Sequence, residues 1–204
     1  MRRCVLVFLI LLVGGFVQAD TIYTDEPTFL TQIEPGYYLE DFTGYTFGSP
    51  WAGHLTADYG PVNGWSYQAT ADPNGLYSIP DALSTNNAAD PLVMTFTGDP
   101  VTAVGGIFSS TDFDGLVIPE DLTITLHFVG GSTLVETLNG SGFRGFTTTL
   151  VIESLDIDGD DANQSNWAAL DHFYVGQAVP EPGSFALLGL GVAGLAFYWR
   201  RNRK

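Results

Sequence analysis

The chain has 204 residues and a formal charge of −16, with 7 Lys and Arg against 23 Asp and Glu. Phosphate backbones are held by neutralising cations, so a chain this acidic has no nucleic-acid partner. Residues 1–19 open with Arg2 and Arg3, continue as an apolar core over 5–13 and close on Val17-Gln18-Ala19, the order of a secretory signal peptide. Signal peptidase and the general export machinery are the partners this implies, with a mature start at Asp20. The only cysteine, Cys4, falls inside this segment. The body is therefore expected to have no disulfide, no thiolate metal site and no cysteine nucleophile.

Residues 20–178 amount to one domain, long enough to bury a core without staples. Of the 23 acids only Glu181 lies beyond this body, leaving 22 against the single base Arg144, a net charge of about −21. Such a surface repels anionic lipid and attracts Ca²⁺, a hard cation that prefers carboxylate and carbonyl oxygens. Solubility through self-repulsion is the plainer use of most of these charges.

No helix-length amphipathic run occurs in the body. Short apolar or alternating segments closed by Gly, Pro, Asn or Asp recur instead, which predicts an all-β domain. Residues 28–33 suit one helical turn or a short strand, and 37–43 suit a first full strand. The stretch 44–67 reads as turn-rich and aromatic, and Asp72-Pro73-Asn74-Gly75 as a turn. Strands are expected at 92–97 and 101–109, with Gly105-Gly106 marking a bulge or a close approach. Residues 122–129 and 132–138 form the clearest hairpin, alternating Ile124, Leu126 and Phe128 with polar residues around a Gly130-Gly131 turn. Strands at 143–149 and 150–157, an acidic loop at 158–166 and a last strand at 169–176 complete the set. Asn139-Gly140 reads as a hairpin turn. About eight strands with long connections predict a single antiparallel β-sandwich, jelly-roll-like.

Residues 179–204 hold three parts in fixed order: Pro180, Glu181 and Pro182, then 15 residues without charge over 185–199, then Arg200, Arg201, Arg203 and Lys204. As a helix the apolar run is ~22 Å long, short of the hydrocarbon core. Snorkelling arginines let such a span cross, and the basic end marks the cytoplasmic side. An ordinary single-pass anchor with a proline-rich hinge is one explanation.

The order of parts resembles the PEP-CTERM sorting signal of Gram-negative bacteria. The resemblance implies that Pro180, Glu181 and Pro182 are the motif recognised by an exosortase, a membrane-embedded, cysteine protease-like transpeptidase, and that the tail is a handle removed during sorting. Between residues 41 and 176 the body is also similar to jelly-roll-like ectodomains found among PEP-CTERM proteins, and its closing Leu170-Asp171 to carbohydrate-binding jelly rolls in which a last-strand Asp and a first-strand Glu hold a structural Ca²⁺.

Strand alternation puts Asp171 on a face with Ala169, Phe173 and Val175, and Glu40 on one with Tyr38 and Phe42. An ionised carboxylate on an apolar face needs a partner, so a shared structural Ca²⁺ at Glu40 and Asp171, with Asp41 as substitute for Glu40, stands beside simple capping by backbone N–H groups or water. No cofactor is otherwise required. The loop from Asp156 fails the EF-hand spacing, with Asp161 at position six and Trp167 at position twelve. Asp112 and Asp114 read as a turn. His127 lies on a polar strand face, His172 is out of phase with Asp171, and His54 has no metal-ligand spacing to either. No nucleophile elbow is present, and no carboxylate pair is assignable to glycoside hydrolysis. No catalytic residue is named.

Trp51, Trp65 and Tyr67 are the sugar-stacking candidates, with burial in the core as the other use of such rings. The chain is thus expected to be an exported cell-envelope or extracellular-matrix protein, crossing the inner membrane transiently in a single pass and sorted by an exosortase to the cell surface. Its body is expected to be non-catalytic. The alternatives are a carbohydrate-binding module for extracellular polysaccharide and a glycoside-active enzyme.

Overall fold

Alternation of apolar and polar side chains builds most of the sheet. In β9 (Asp121–Phe128) Leu122, Ile124, Leu126 and Phe128 are buried while Thr123, Thr125 and His127 between them are half-exposed. Its partner β10 (Thr133–Asn139) pairs antiparallel from Thr133↔His127 to Asn139↔Asp121 across the Gly130-Gly131 turn. Both glycines have positive φ, 109° and 88°, but the Phe128 N–H donates to Ser132 O, so the loop is the three residues 129–131 rather than the expected two-residue turn.

The computed structural model describes residues 20–159 and 165–180, together with 191 and 199. The expected signal segment 1–19, most of the acidic loop, Glu181, Pro182 and the expected membrane-spanning run lie outside the described residues, apart from those two positions. Among the described residues no helix is long and apolar enough to cross a membrane.

The remaining elements are β1 (Thr21–Tyr23), α1 (Glu26–Leu30), β2 (Tyr38–Glu40), β3 (Thr56–Val62), β4 (Trp65–Thr70), β5 (Leu76–Ile79), β6 (Ala82–Thr85), β7 (Leu92–Phe96), β8 (Val101–Thr111), β11 (Ser141–Gly159) and β12 (Trp167–Gly176). Residues 28–33 resolve both ways: 28–30 close α1, and Ile33 makes an isolated bridge to Ala178. Asp25 caps α1 by accepting from the Thr28 backbone N–H at 2.9 Å, with Pro27 in the first turn.

All strand pairs are antiparallel, in the order β3-β4-β7-β11-β8-β12-β6-β5, with β9 and β1 also on β11, β10 on β9 and β2 on β12. The all-β antiparallel expectation holds. The expected two-sheet jelly roll is replaced by one twelve-stranded sheet nearly closed into a barrel.

The reason is β11. It reads as two strands but runs unbroken for 19 residues, pairing β8 along 141–147 and β7 and β9 along 152–159. A register shift between Ile152 and Ser154 bends it, so the sheet turns over on itself without losing its ladder. Between the two halves lies the main core, with Phe108, Phe146, Leu170 and Phe173 facing Met94, Leu126, Leu155 and Ile157. Asn139-Gly140 does not turn a hairpin, because β10 pairs β9 and β11 leaves for β8.

A second, smaller core forms where α1 seats Phe29 against Ile33, Ala103 and Tyr174, with Tyr23, Tyr37, Phe143 and Ala178 around it. Its floor is a pair of glycines. Gly145 and Gly105 are register partners on β11 and β8, and a Cβ on either would meet the Phe29 ring, at 2.4 Å and 2.9 Å respectively. Gly105 thus marks the close approach expected there. The bulge lies across from it on β12, between Asp171 and Tyr174.

Candidate functional site

The junction between body and C-terminal segment is built from residues 32–34 and 177–179. After β12 ends at Gly176, the Glu34 N–H donates to Gln177 O at 2.8 Å, the Val179 N–H to Gln32 O at 2.8 Å, and the Ala178 N–H to Thr102 Oγ1 at 2.9 Å. Pro180 brings no N–H to extend this ladder, and it is exposed. The folded body therefore holds the chain up to Val179, and the first residue of the Pro180, Glu181, Pro182 motif is the first it releases.

Two of the three expected sugar-stacking rings lie in the core. Tyr67 is 1% exposed and Trp65 8%, because both sit at inward positions of β4, where rings fill the core. Trp65 Nε1 donates to Gly36 O at 3.1 Å. Trp51 is half-buried, donates Nε1–H to Tyr45 Oη at 3.0 Å and packs edge-on against Tyr59. Tyr59 stacks on Tyr67 at 4.7 Å. Burial pushes the phenols of Tyr59 and Tyr67 well above their ordinary range. Trp65 and Tyr67 offer no open stacking face, while Trp51 stays partly exposed.

An exposed aromatic site exists elsewhere. The strand order β8-β12-β6-β5 brings Thr111, Trp167, Ser84, Thr85 and Tyr77 side by side, and the loop after β8 adds Asp112 and Phe113. They line a groove of ≈ 130 Å³ with Ile79 and Asn86. Phe113 is 79% exposed and meets Trp167 edge-on at 5.9 Å. Ser84, Thr85 and Thr111 spend their hydroxyl protons on backbone carbonyls of the body. Among the described residues, Tyr77 Oη and Trp167 Nε1 make no hydrogen bond, which leaves donors in a half-open aromatic groove. Sequence reasoning missed it because Tyr77, Phe113 and Trp167 are far apart in the chain and meet only through strand pairing. One local signal was available: Phe113 is an aromatic ring set in an acidic turn, where a core residue does not belong.

The expected calcium ligands are close in the sheet but already engaged. Glu40 pairs with Phe173 across β2 and β12. Its Oε2 accepts from Tyr38 Oη at 2.7 Å and its Oε1 from the Phe42 N–H at 3.2 Å. Asp41 Oδ1 accepts from the Thr43 N–H, which with the Thr43 hydroxyl holds its carboxyl below the usual range.

Asp171 does not share the face of Phe173. The bulge shifts it, and His172 takes a left-handed φ of 48°, so the His172 N–H donates to Asp171 Oδ1 at 2.7 Å. The ring Nδ1 of His172 lies 2.9 Å from Asp171 Oδ2 without the alignment of a hydrogen bond. The expected separation of these two side chains is thereby corrected. Among the described residues no three His, Cys, Asp or Glu gather to hold a metal.

The other expected polar groups have structural roles. His127 Nε2 lies 3.0 Å from Asp156 Oδ2 across β9 and β11. Asp112 Oδ1 accepts from Asp114 and Leu116 N–H groups, the turn expected there. Arg144 Nε donates to Glu136 Oε1 at 2.9 Å.

An acidic all-β body whose last strand hands the chain directly to a Pro-Glu-Pro segment defines a class of protein that carries its own C-terminal sorting signal. The signal has a family: residues 178–204 match the PEP-CTERM protein-sorting motif. Its first matched residue, Ala178, is the last to bridge the body. The motif supports exosortase-dependent sorting of an exported protein, with an exosortase as the processing partner. No curated protein and no solved structure matches the chain.

Proposed function

We propose that the chain is a component of the cell envelope or extracellular matrix whose body is a non-catalytic structural module. Signal peptidase removes residues 1–19 after export, and residues 185–199 hold the protein transiently in the inner membrane. An exosortase then processes the chain at the Pro180, Glu181, Pro182 motif and passes the body to the surface. The observation that carries this is the sorting motif at 178–204, placed where the folded body ends. The test is intact mass and cell fractionation in a host that has an exosortase, comparing wild type with Pro180→Ala, Glu181→Ala, Pro182→Ala combined. Wild type should be trimmed at both ends and leave the inner membrane, while the variant keeps its tail. Identical trimming of the two, or an untrimmed wild-type chain in the cytoplasm, overturns the proposal.

A second reading, saccharide binding by the body, is favoured by the Tyr77–Phe113–Trp167 groove. The C–H faces of a pyranose suit exposed rings, and its hydroxyls suit the unengaged Trp167 N–H and Tyr77 hydroxyl. Affinity electrophoresis through gels containing the host's polysaccharide tests it. Wild type should be retarded, and Trp167→Ala and Phe113→Ala should migrate as in an empty gel. Equal mobility of all three with and without polymer refutes the reading. Release of reducing sugar by wild type would move the body to the glycoside-active class.

A further inference from the structure

A processing enzyme that cuts or transfers a peptide bond binds its substrate as an extended chain, through main-chain groups on both sides of that bond. In this protein the groups just upstream of Pro180 are already spent. Residues 177–179 give two N–H groups and one carbonyl to the body, and Ala178 is packed into the cluster around Phe29 and Ile33. A Cβ at Gly176 would lie 2.9 Å from Ile33 Cδ1, so the approach to this segment is tight as well. Downstream there is little slack. Only residues 180–184 separate Val179 from the apolar run, ~18 Å at full extension.

We infer that the clasp between residues 32–34 and 177–179 gates exosortase processing: the enzyme gains the chain upstream of Pro180 only when the clasp opens, and the bond it breaks lies at or beyond Val179–Pro180. The inference rests on the sorting proposal above. In the step itself one peptide bond of the chain breaks. Its carbonyl carbon passes to the enzyme's nucleophile and then to water or an acceptor amine, and its nitrogen leaves with the tail. The body contributes no reacting group. It controls how often the substrate is presented, as local opening controls access to other folded segments.

Three full-length variants test this in an exosortase-bearing host. A six-residue Gly/Ser insertion between Val179 and Pro180 supplies free upstream chain without touching the body, and should be trimmed faster than wild type at an unchanged melting temperature. Thr102→Val removes the acceptor of the Ala178 N–H, and should speed trimming by ~two- to tenfold, the effect of one hydrogen bond on an opening equilibrium. Ile33→Cys with Ala178→Cys locks the clasp. The pair occupies a non-hydrogen-bonded position of an antiparallel bridge, where Cα atoms lie ~4.5 Å apart, within disulfide reach. The oxidised double variant should stay untrimmed while each single variant is processed.

Insertion and lock both trimmed at the wild-type rate would refute the gate. So would a mature body whose measured mass ends before Val179. A tail that survives intact in wild type and in the insertion variant removes the sorting proposal, and the gate with it.

Discussion

Gly145→Ala tests whether the small core under α1 is as tightly seated as its geometry implies. The added Cβ would lie 2.4 Å from Phe29 Cδ2 and 2.6 Å from Cγ, where carbon atoms settle at ~3.5–4.0 Å. The ring must move by more than ~1 Å, and it has nowhere to go. Phe143, Tyr23 and Tyr174 stand at centroid distances of 5.6, 6.0 and 6.1 Å, and Gly105 continues the floor beside Gly145 under the same ring. Overpacking of this kind costs ~1–3 kcal/mol. Expelling the fully buried ring altogether costs as much as deleting it, ~3–5 kcal/mol. Replacing a strand glycine returns ~0.5–1 kcal/mol of chain entropy, so with the overpacking cost at the top of its range, ~3 kcal/mol, the net loss should be ~2–2.5 kcal/mol. The assay is urea unfolding, read as a lower midpoint at constant slope. In a Phe29→Ala background the same substitution should cost under ~1 kcal/mol, because the obstacle is gone. A single variant within ~0.5 kcal/mol of wild type, or a double variant equal to the sum of the singles, would show that the hollow is not filled as described. Since Ile33 and Ala178 belong to the same cluster, Gly145→Ala should also be trimmed faster.

Two further outcomes follow from buried groups. Burial raises the phenols of Tyr38, Tyr59, Tyr67 and Tyr174 above their ordinary value of 10.0. Their contribution to stability is therefore complete below ~pH 10, where the unfolded phenols are protonated too. It is lost as pH rises from there through the higher folded values. Absorbance at 295 nm should show these four ionising together with unfolding, and smooth independent titration of every tyrosine in the folded chain would contradict it. For calcium, Glu40 already has a donor on each oxygen, so a chelator should leave the melting temperature unchanged. A drop of several degrees that Glu40→Gln abolishes would show a metal there.

What the sequence made legible divides along a physical line. The sorting segment is a linear signal, read by its partner as a string, so Pro180, Glu181 and Pro182 could be found without a fold. The β9–β10 hairpin was equally open, since its turn and its alternation are both local. The body's other features depend on neighbours. Thr149, Leu150 and Val151 are exposed in mid-strand and look like a strand break, yet the ladder carries β11 through them. The stretch 44–67 looks like loop because Gly60, Pro61, Asn63 and Gly64 interrupt it, and it holds β3 and the start of β4. The bulge at 171–174 reverses the phase of a strand, which no alternation rule foresees. The same reversal brings His172 against Asp171.

Charge narrows the saccharide that the groove could hold. The body has 22 acids and one base, and that base, Arg144, is bonded to Glu136 and to the Phe143 carbonyl. A uronate or sulfated polymer would meet no cation in the body to offset repulsion, whereas a neutral polymer loses nothing by approaching. Screening separates the two cases, because the Debye length falls from about 30 Å at 0.01 M salt to about 3 Å at 1 M. Retardation by a neutral polysaccharide should be the same at both ionic strengths. An acidic polysaccharide should retard the protein only at the higher one, if at all. Strong retention on an acidic polymer at 0.01 M that fades with salt would mean that an attractive charge holds it, and the groove's rings and uncharged donors would no longer explain the binding.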